Sequence, residues 1–344
     1  MSRIDREDPF VDVTLGLWAV TILGIIGLIV LDFVTVSHKP HEVQFKEALF
    51  WSIFYISIAI AFGIAMWVWQ GSDMGTQFFA AYLVEKSLSV DNLFVFIIIL
   101  AQFAVPIELH QRVLLIGVIL ALILRAIFIA VGAAALAAFS FTFVLFGAIL
   151  IWTGIQLARH RNEDPEPKDN AVVRVVRKKF LVSDHYDGTK LFTRIDGRKA
   201  ITPLLLVMIA IGSTDVLFAL DSIPATFGVT QEPYLVFAAN AFALLGLRAL
   251  YFLLKGLLDK LVYLSLGLAV ILVFIGIKLV LTWGHETWPE TVPKIPTNIS
   301  LAFIGLVLAV VAVGSWLKVR KDPTAVAHAG RLTEPRHDEE SAEG

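Results

Sequence analysis

Nine stretches of uninterrupted apolar sequence, each about as long as the ~20 helical residues that cross ~30 Å of hydrocarbon, set the limits on what this chain can fold into. They fall at residues 13–36, 47–70, 76–101, 112–135, 139–158, 201–224, 234–254, 261–283 and 299–317. None shows the ten-residue alternation of a barrel strand, so the backbone must satisfy itself within helices. The composition agrees: 57% of the 344 residues are hydrophobic and 17% charged, with a mean hydropathy of +0.77, outside the range of soluble domains. The expectation is an all-α membrane protein with about nine transmembrane helices. The first stretch follows a net acidic flank, MSRIDREDPFVD, and has no small-residue cleavage site, so it reads as a retained span rather than a signal peptide.

Basic residues orient the spans. Residues 159–199 hold eleven Lys or Arg, and the segment from Lys318 onward holds five more. Both belong in the cytoplasm by the positive-inside rule, which puts the N-terminus outside. WQGSDMGTQ, LAAFS and TFGVTQEP, which lack Lys and Arg, then fall outside. A basic loop beside a membrane reads as an orientation signal and lipid-headgroup contact, with no nucleic-acid partner. Within it, two Asp-Gly pairs in SDHYDGTKLFTRIDGRK predict a small hairpin. The polar end, RLTEPRHDEESAEG, reads as disordered.

Comparing the spans with one another exposes a repeat. EKSLSVDN and DVLFALDS place Glu85 and Asp91 at an offset of 130 from Asp215 and Asp221; RAIF from Arg125 and RALY from Arg248 lie 123 apart; GIQL from Gly154 and GIKL from Gly276 lie 122 apart. Spans three to five thus match spans six to eight. An odd number of crossings separates the triplets, so they face opposite ways, the inverted-topology construction of secondary transporters. The organisation expected is spans one and two over 1–74, repeat A over 75–158, the basic loop over 159–199, repeat B over 200–283, span nine within 284–319, and a tail over 320–344.

Each acid inside a span costs about 2.5–3.5 kcal/mol at a bilayer centre, so none can face lipid. Glu85, Asp91, Asp215 and Asp221 against Arg125 and Arg248 leave a formal charge of −2, the deficit of one divalent cation. The structural alternative is that the arginines simply hold the acids. Glu85, Ser89 and Asn92 share a helical face, as do Asp215 and Ser222, whereas six residues turn the second acid about 120° away. Unwinding near Pro224 would let both acids of a pair reach one ion. Carboxylates, the amides of Asn92 and Asn240, and the hydroxyls of Ser89, Thr214 and Ser222 suit a hard cation such as Mn²⁺, Mg²⁺ or Ca²⁺. Asp32, followed by His38, His41 and Glu42, is a candidate first docking point for the ion, and Lys278 is expected to snorkel from an outer helix end. The chain has no cysteine, which removes thiolate metal sites and disulfides.

At SVDN (Ser89 to Asn92), TDVLFALDSIPA (Thr214 to Ala225) and NAFALLGLRALYF (Asn240 to Phe252) the sequence resembles the TerC family of integral membrane proteins, across about residues 31–281. The resemblance implies a bacterial inner-membrane protein of a family first named for tellurite resistance, with members associated with Mn²⁺ export. It carries the metal-ligand role to Glu85, Asp91, Asp215 and Asp221. It departs at Gly212, where the family pattern has a Glu three residues before the first Asp. The expected activity is alternating-access export of Mn²⁺ or a similar divalent ion, bound as substrate rather than as a permanent cofactor, with proton exchange through the acids as coupling. No nucleotide-binding loop is present to use ATP. Two rivals stand beside it: a non-transporting scaffold docked through the basic loop and tail, and an intramembrane aspartyl hydrolase, against which four acids with counter-charges argue.

Overall fold

A computed structural model of the chain describes residues 14–37, 45–160, 171–195, 197–254, 262–288 and 291–321. The expected tail begins just before the last of these and otherwise lies outside them, as do His38, His41 and Glu42. Long helices account for the expected spans: α1 (Leu15–Ser37), α2 (Phe45–Gln70), α3 (Ser72–Gln102), α4 (Ile107–Ala138), α5 (Thr142–Arg159), α7 (Pro203–Phe227), the pair α8 (Pro233–Leu245) and α9 (Leu247–Leu254), α10 (Leu264–Thr287) and α11 (Thr297–Lys321). Among the described residues eight segments are long and apolar enough to cross a membrane. Helix α3 is not one of them: at 31 residues it is long enough for the expected third span, but it carries Glu85, Lys86 and Asp91 inside it.

Side-chain contacts fix the alternation of directions. Gly63 lies against Phe78 while Gly75 lies against Trp67, so α2 and α3 are antiparallel. On α4, Gly117 meets Ile211 and Gly132 meets Phe227, so α4 and α7 run parallel. Thr21 hydrogen-bonds Tyr234 and Asp32 reaches Arg248, so α1 runs parallel to α8 and α9. These relations are the ones nine successive crossings require.

The tightest pairing is α5 on α10. A Cβ on Gly276 would come within 2.8 Å of the Gly147 carbonyl oxygen, and one on Gly154 within 2.9 Å of that of Ala269, so only glycine lets the two backbones touch. Under the 122-residue offset read from the sequence, Gly154 maps to Gly276 and Gly147 to Ala269. Each contact becomes the other, as a two-fold relation between the two helices would produce.

Between α5 and α7 a short basic helix, α6 (Ala171–Lys179), is followed by a hairpin, β1 (Phe192–Ile195) and β2 (Arg198–Ile201). Its register pairs Phe192 with Ile201 and Ile195 with Arg198, and Gly197 in the turn takes φ 77°, open to glycine at no steric cost. The predicted hairpin is therefore present. Tyr186 donates to the Phe103 carbonyl at 2.7 Å, tying this segment to the turn between α3 and α4. Thr202 accepts from the Leu205 amide as the N-cap of α7.

Candidate functional site

Near the middle of the bundle, Arg125 of α4 is fully buried and joins two helices. Its Nη1 donates to Glu85 of α3 at 3.0 Å, and its Nη2 to Asp215 of α7 at 3.2 Å. Asn92, in the amide orientation that satisfies its neighbours, donates to the Leu88 carbonyl at 3.1 Å and accepts from Arg125 Nη2 at 3.0 Å. Thr226 donates to the other Glu85 oxygen at 2.7 Å. The predicted face of α3 is thus real: Glu85 and Asn92, two turns apart, grip the same guanidinium, with the buried Ser89 between them.

These contacts set depths. Helices α3 and α7 are antiparallel: Asn92 and Asp215 meet at one end of the guanidinium, while Glu85 lies farther along, toward Thr226. The backbone of Asp91 therefore sits at the depth of Asp215, and Glu85 at that of the segment from Asp221 to Thr226. The backbones of the four acids thus fall at two levels about 9 Å apart, the rise of six helical residues, while the Glu85 and Asp215 side chains converge on one guanidinium.

Five polar groups in and beside this region are buried with no hydrogen-bond partner among the described residues: Asp215 Oδ2, Ser89 Oγ, Ser222 Oγ, Arg125 Nε and both amide atoms of Asn240 on α8. Buried polar groups are nearly always paired, so these atoms have capacity for a ligand, and three of them are carboxylate or hydroxyl oxygens. Thr214 differs, since its hydroxyl donates to the Ala210 carbonyl of its own helix. Among the described residues no three His, Cys, Asp or Glu side chains converge on one metal-sized point; for Asp91 only the backbone is described.

The reason is that α7 does not unwind. It stays helical through Pro224 to Phe227, contrary to the expectation. Proline here falls in the last turn, where its missing N–H costs only the bond to the Leu220 carbonyl, and the Gly228 amide still bonds to Pro224 O at 2.9 Å. Asp221 accordingly turns away from Arg125, toward Thr153 of α5. The interruption lies instead in the seventh span, at Gly246 between α8 and α9. A Cβ there would meet Tyr55 at 3.1 Å and Lys86 Nζ at 3.4 Å. Lys86, an intramembrane cation that charge counting passed over although it lies in EKSLSVDN, donates to the Ala243 carbonyl at 3.3 Å, where the C-terminal end of α8 favours positive charge.

Arg248 has a different partner from the one its repeat counterpart suggested. Its Nε lies 3.1 Å from both Asp32 oxygens and its Nη2 2.5 Å from one, while Tyr55 donates to Asp32 at 3.0 Å. His110 and Tyr251 are hydrogen-bonded beside them, at 2.9 Å. Asp32 is buried and ion-paired. The signal was available: an acid inside an apolar run needs a partner, but α1 lies outside the repeat from which partners were inferred. Lys278, expected to snorkel, is buried, because the glycine contact draws α10 into the bundle. At Gly212, a Cβ would come within 2.6 Å of Leu120 Cδ2, so the leucine fills the space where the family pattern has a Glu.

Comparison with known proteins gives consistent results. Residues 70–322 match the integral membrane protein TerC family. The chain is 42% identical to an uncharacterised membrane protein of Myxococcus xanthus over 92% of its own length and 97% of that protein's. It is 45% identical to an uncharacterised membrane protein of Mycobacterium tuberculosis over 91% and 82%. It is 35% identical to a Salmonella typhi protein named as a membrane-bound redox modulator, Alx, over 89% and 96%. No solved structure matches.

Proposed function

We propose that this chain, which belongs to the TerC family of integral membrane proteins, is a secondary transporter that exports a hard divalent cation, Mn²⁺ first among them, across the bacterial cytoplasmic membrane. One observation carries the reading: Arg125 holds a carboxylate pair, Glu85 with Asp215, on the same two helices as buried oxygens of Asp215, Ser89 and Ser222 that have no partner among the described residues. Oxygen donors of this kind, with carboxylates among them, suit Mn²⁺, Mg²⁺ or Ca²⁺.

The two acidic levels give the ion a path. Asp91 and Asp215 take it at one depth, Glu85 and Asp221 at the other, and Arg125 between them is the counter-charge that the cation competes with. As the cation leaves, protons neutralise the acids that Arg125 does not, which couples export to proton uptake. The broken seventh span, with Lys86 and Arg248 on either side of Gly246, supplies the movable segment that alternating access needs. The name of the Salmonella relative refers to redox modulation. With no cysteine in this chain, such an effect here would follow from the metal moved, not from thiol exchange.

The test is flux. Purified protein in vesicles should move Mn²⁺ against a proton gradient, and faster than Zn²⁺ among Mn²⁺, Fe²⁺, Mg²⁺, Ca²⁺ and Zn²⁺. Vesicles that move none of the five would leave the scaffold reading in its place. The orientation has its own check: a reporter within residues 171–195 or after Lys321 is expected in the cytoplasm, and one within residues 291–296 outside. Finding both on one side would break the nine-crossing arrangement.

A further inference from the structure

Where α6 rests on the end of the bundle it leaves two unlike flanks open. Val173 is buried in the cluster that includes Val105, Ile201 and Leu204, and Val176 packs against it. On one flank Val172 and Val175 are 47% and 49% exposed, and Phe180 and Leu181, just past the helix, 57% and 47%. The other flank carries Arg174, Arg177 and Lys178. With Val173 and with Gln102 and Phe103 from the end of α3, they line a groove of about 390 Å³. The Arg177 guanidinium lies over the Phe103 ring, 5.9 Å from its centre.

We propose that this groove binds the phosphate of an anionic phospholipid from the adjoining leaflet, with Val172, Val175, Phe180 and Leu181 seated among the glycerol and upper acyl groups. Three cations around one groove complement a phosphate, and a guanidinium can hold it through two parallel bonds. Stacking on Phe103 fixes the plane of that guanidinium. Exposed apolar residues flanking a basic row are the pattern of a helix lying in a membrane interface. Continuity with the spans supplies the surface: α6 is docked at the very turn where α3 leaves the bundle and α4 enters it. A zwitterionic headgroup brings an ammonium that three cations repel, so selectivity for net negative charge follows. None of this depends on what the transport path carries.

Native mass spectrometry of the full chain in a mild detergent, with equal phosphatidylglycerol and phosphatidylethanolamine, tests it. The wild type should retain phosphatidylglycerol in preference, at about fivefold for each cation engaged. Arg177→Gln with Lys178→Gln should bring the ratio close to unity, while Arg177→Lys with Lys178→Arg should keep most of it. Lys318→Gln with Arg320→Gln, at the end of α11, should leave it unchanged. Equal retention of the two lipids by the wild type would overturn the proposal whether or not any variant folds. So would displacement of phosphatidylglycerol by millimolar inorganic phosphate, which would mark a site for free phosphate. A preference that emerges only after residues 322–344 are removed would also overturn it, assigning the groove to the acidic end of the chain itself.

Discussion

Arg125→Ala should lose most of its folded protein from the membrane, at a cost of about 3–5 kcal/mol. That is the range for removing one partner from a buried ion pair and leaving the other charges uncompensated. Two carboxylates and an amide depend on this one guanidinium, and Glu85 is fully enclosed, so water cannot take its place. The measurement is membrane accumulation together with thermal unfolding in detergent. Adding Glu85→Gln and Asp215→Asn to Arg125→Ala should recover much of the lost stability, because neutral amides tolerate the missing cation, yet the triple variant should carry no flux. Accumulation and melting of Arg125→Ala at wild-type levels would show that the acids are balanced by some other group.

Much of the architecture could be read before any coordinates, because in a bilayer the length of an apolar run and the sign of its flanks are physical requirements. The helices begin and end within a few residues of the predicted spans, α10 starting three residues late and ending four late at Thr287. The partnership of Arg125 with Glu85 and Asp215 was likewise legible, since buried charge seeks buried charge. What failed was inference from local signals whose weight depends on position. Pro224 is a helix breaker in mid-helix and harmless in a last turn. Gly246, one glycine among 23 in the chain, carries the actual interruption where a Cβ would meet Tyr55 and the ammonium of Lys86, and no sequence pattern announces such neighbours.

The pairing of Arg248 with Asp32 teaches a related point. A repeat read from sequence predicts which residues correspond, not which residues touch, and the first two spans lie outside the segments it matched. Counting them, together with the buried Lys278 of α10, narrows the deficit. Asp32, Lys86 and Lys278 beside the four acids and two arginines give five acids against four bases, a formal −1. Arg248 and Asp32 cancel one another apart from the rest, which concentrates the remaining acids on α3 and α7.

That concentration yields the second large effect. Asp91→Asn and Asp221→Asn, which keep shape and remove one charge at each level of the path, should each lower Mn²⁺ flux per folded molecule by on the order of 100-fold, within the 2–5 kcal/mol that a lost buried charge contact is worth at tenfold per 1.4 kcal/mol. Stability should hardly change for Asp221→Asn, since the residue lies toward Thr153, whose hydroxyl donates to the Ile149 and Leu150 carbonyls, and losing its charge breaks neither ion pair of Arg125. A structural role predicts the reverse pattern: less folded protein, and ordinary flux from what remains. Flux normalised to folded protein in reconstituted vesicles, measured beside the melting temperature, separates the two. Normal flux in Asp221→Asn would remove that acid from the path. Normal flux in both variants would confine any cation site to Glu85 and Asp215, and the path of two levels would have to be abandoned.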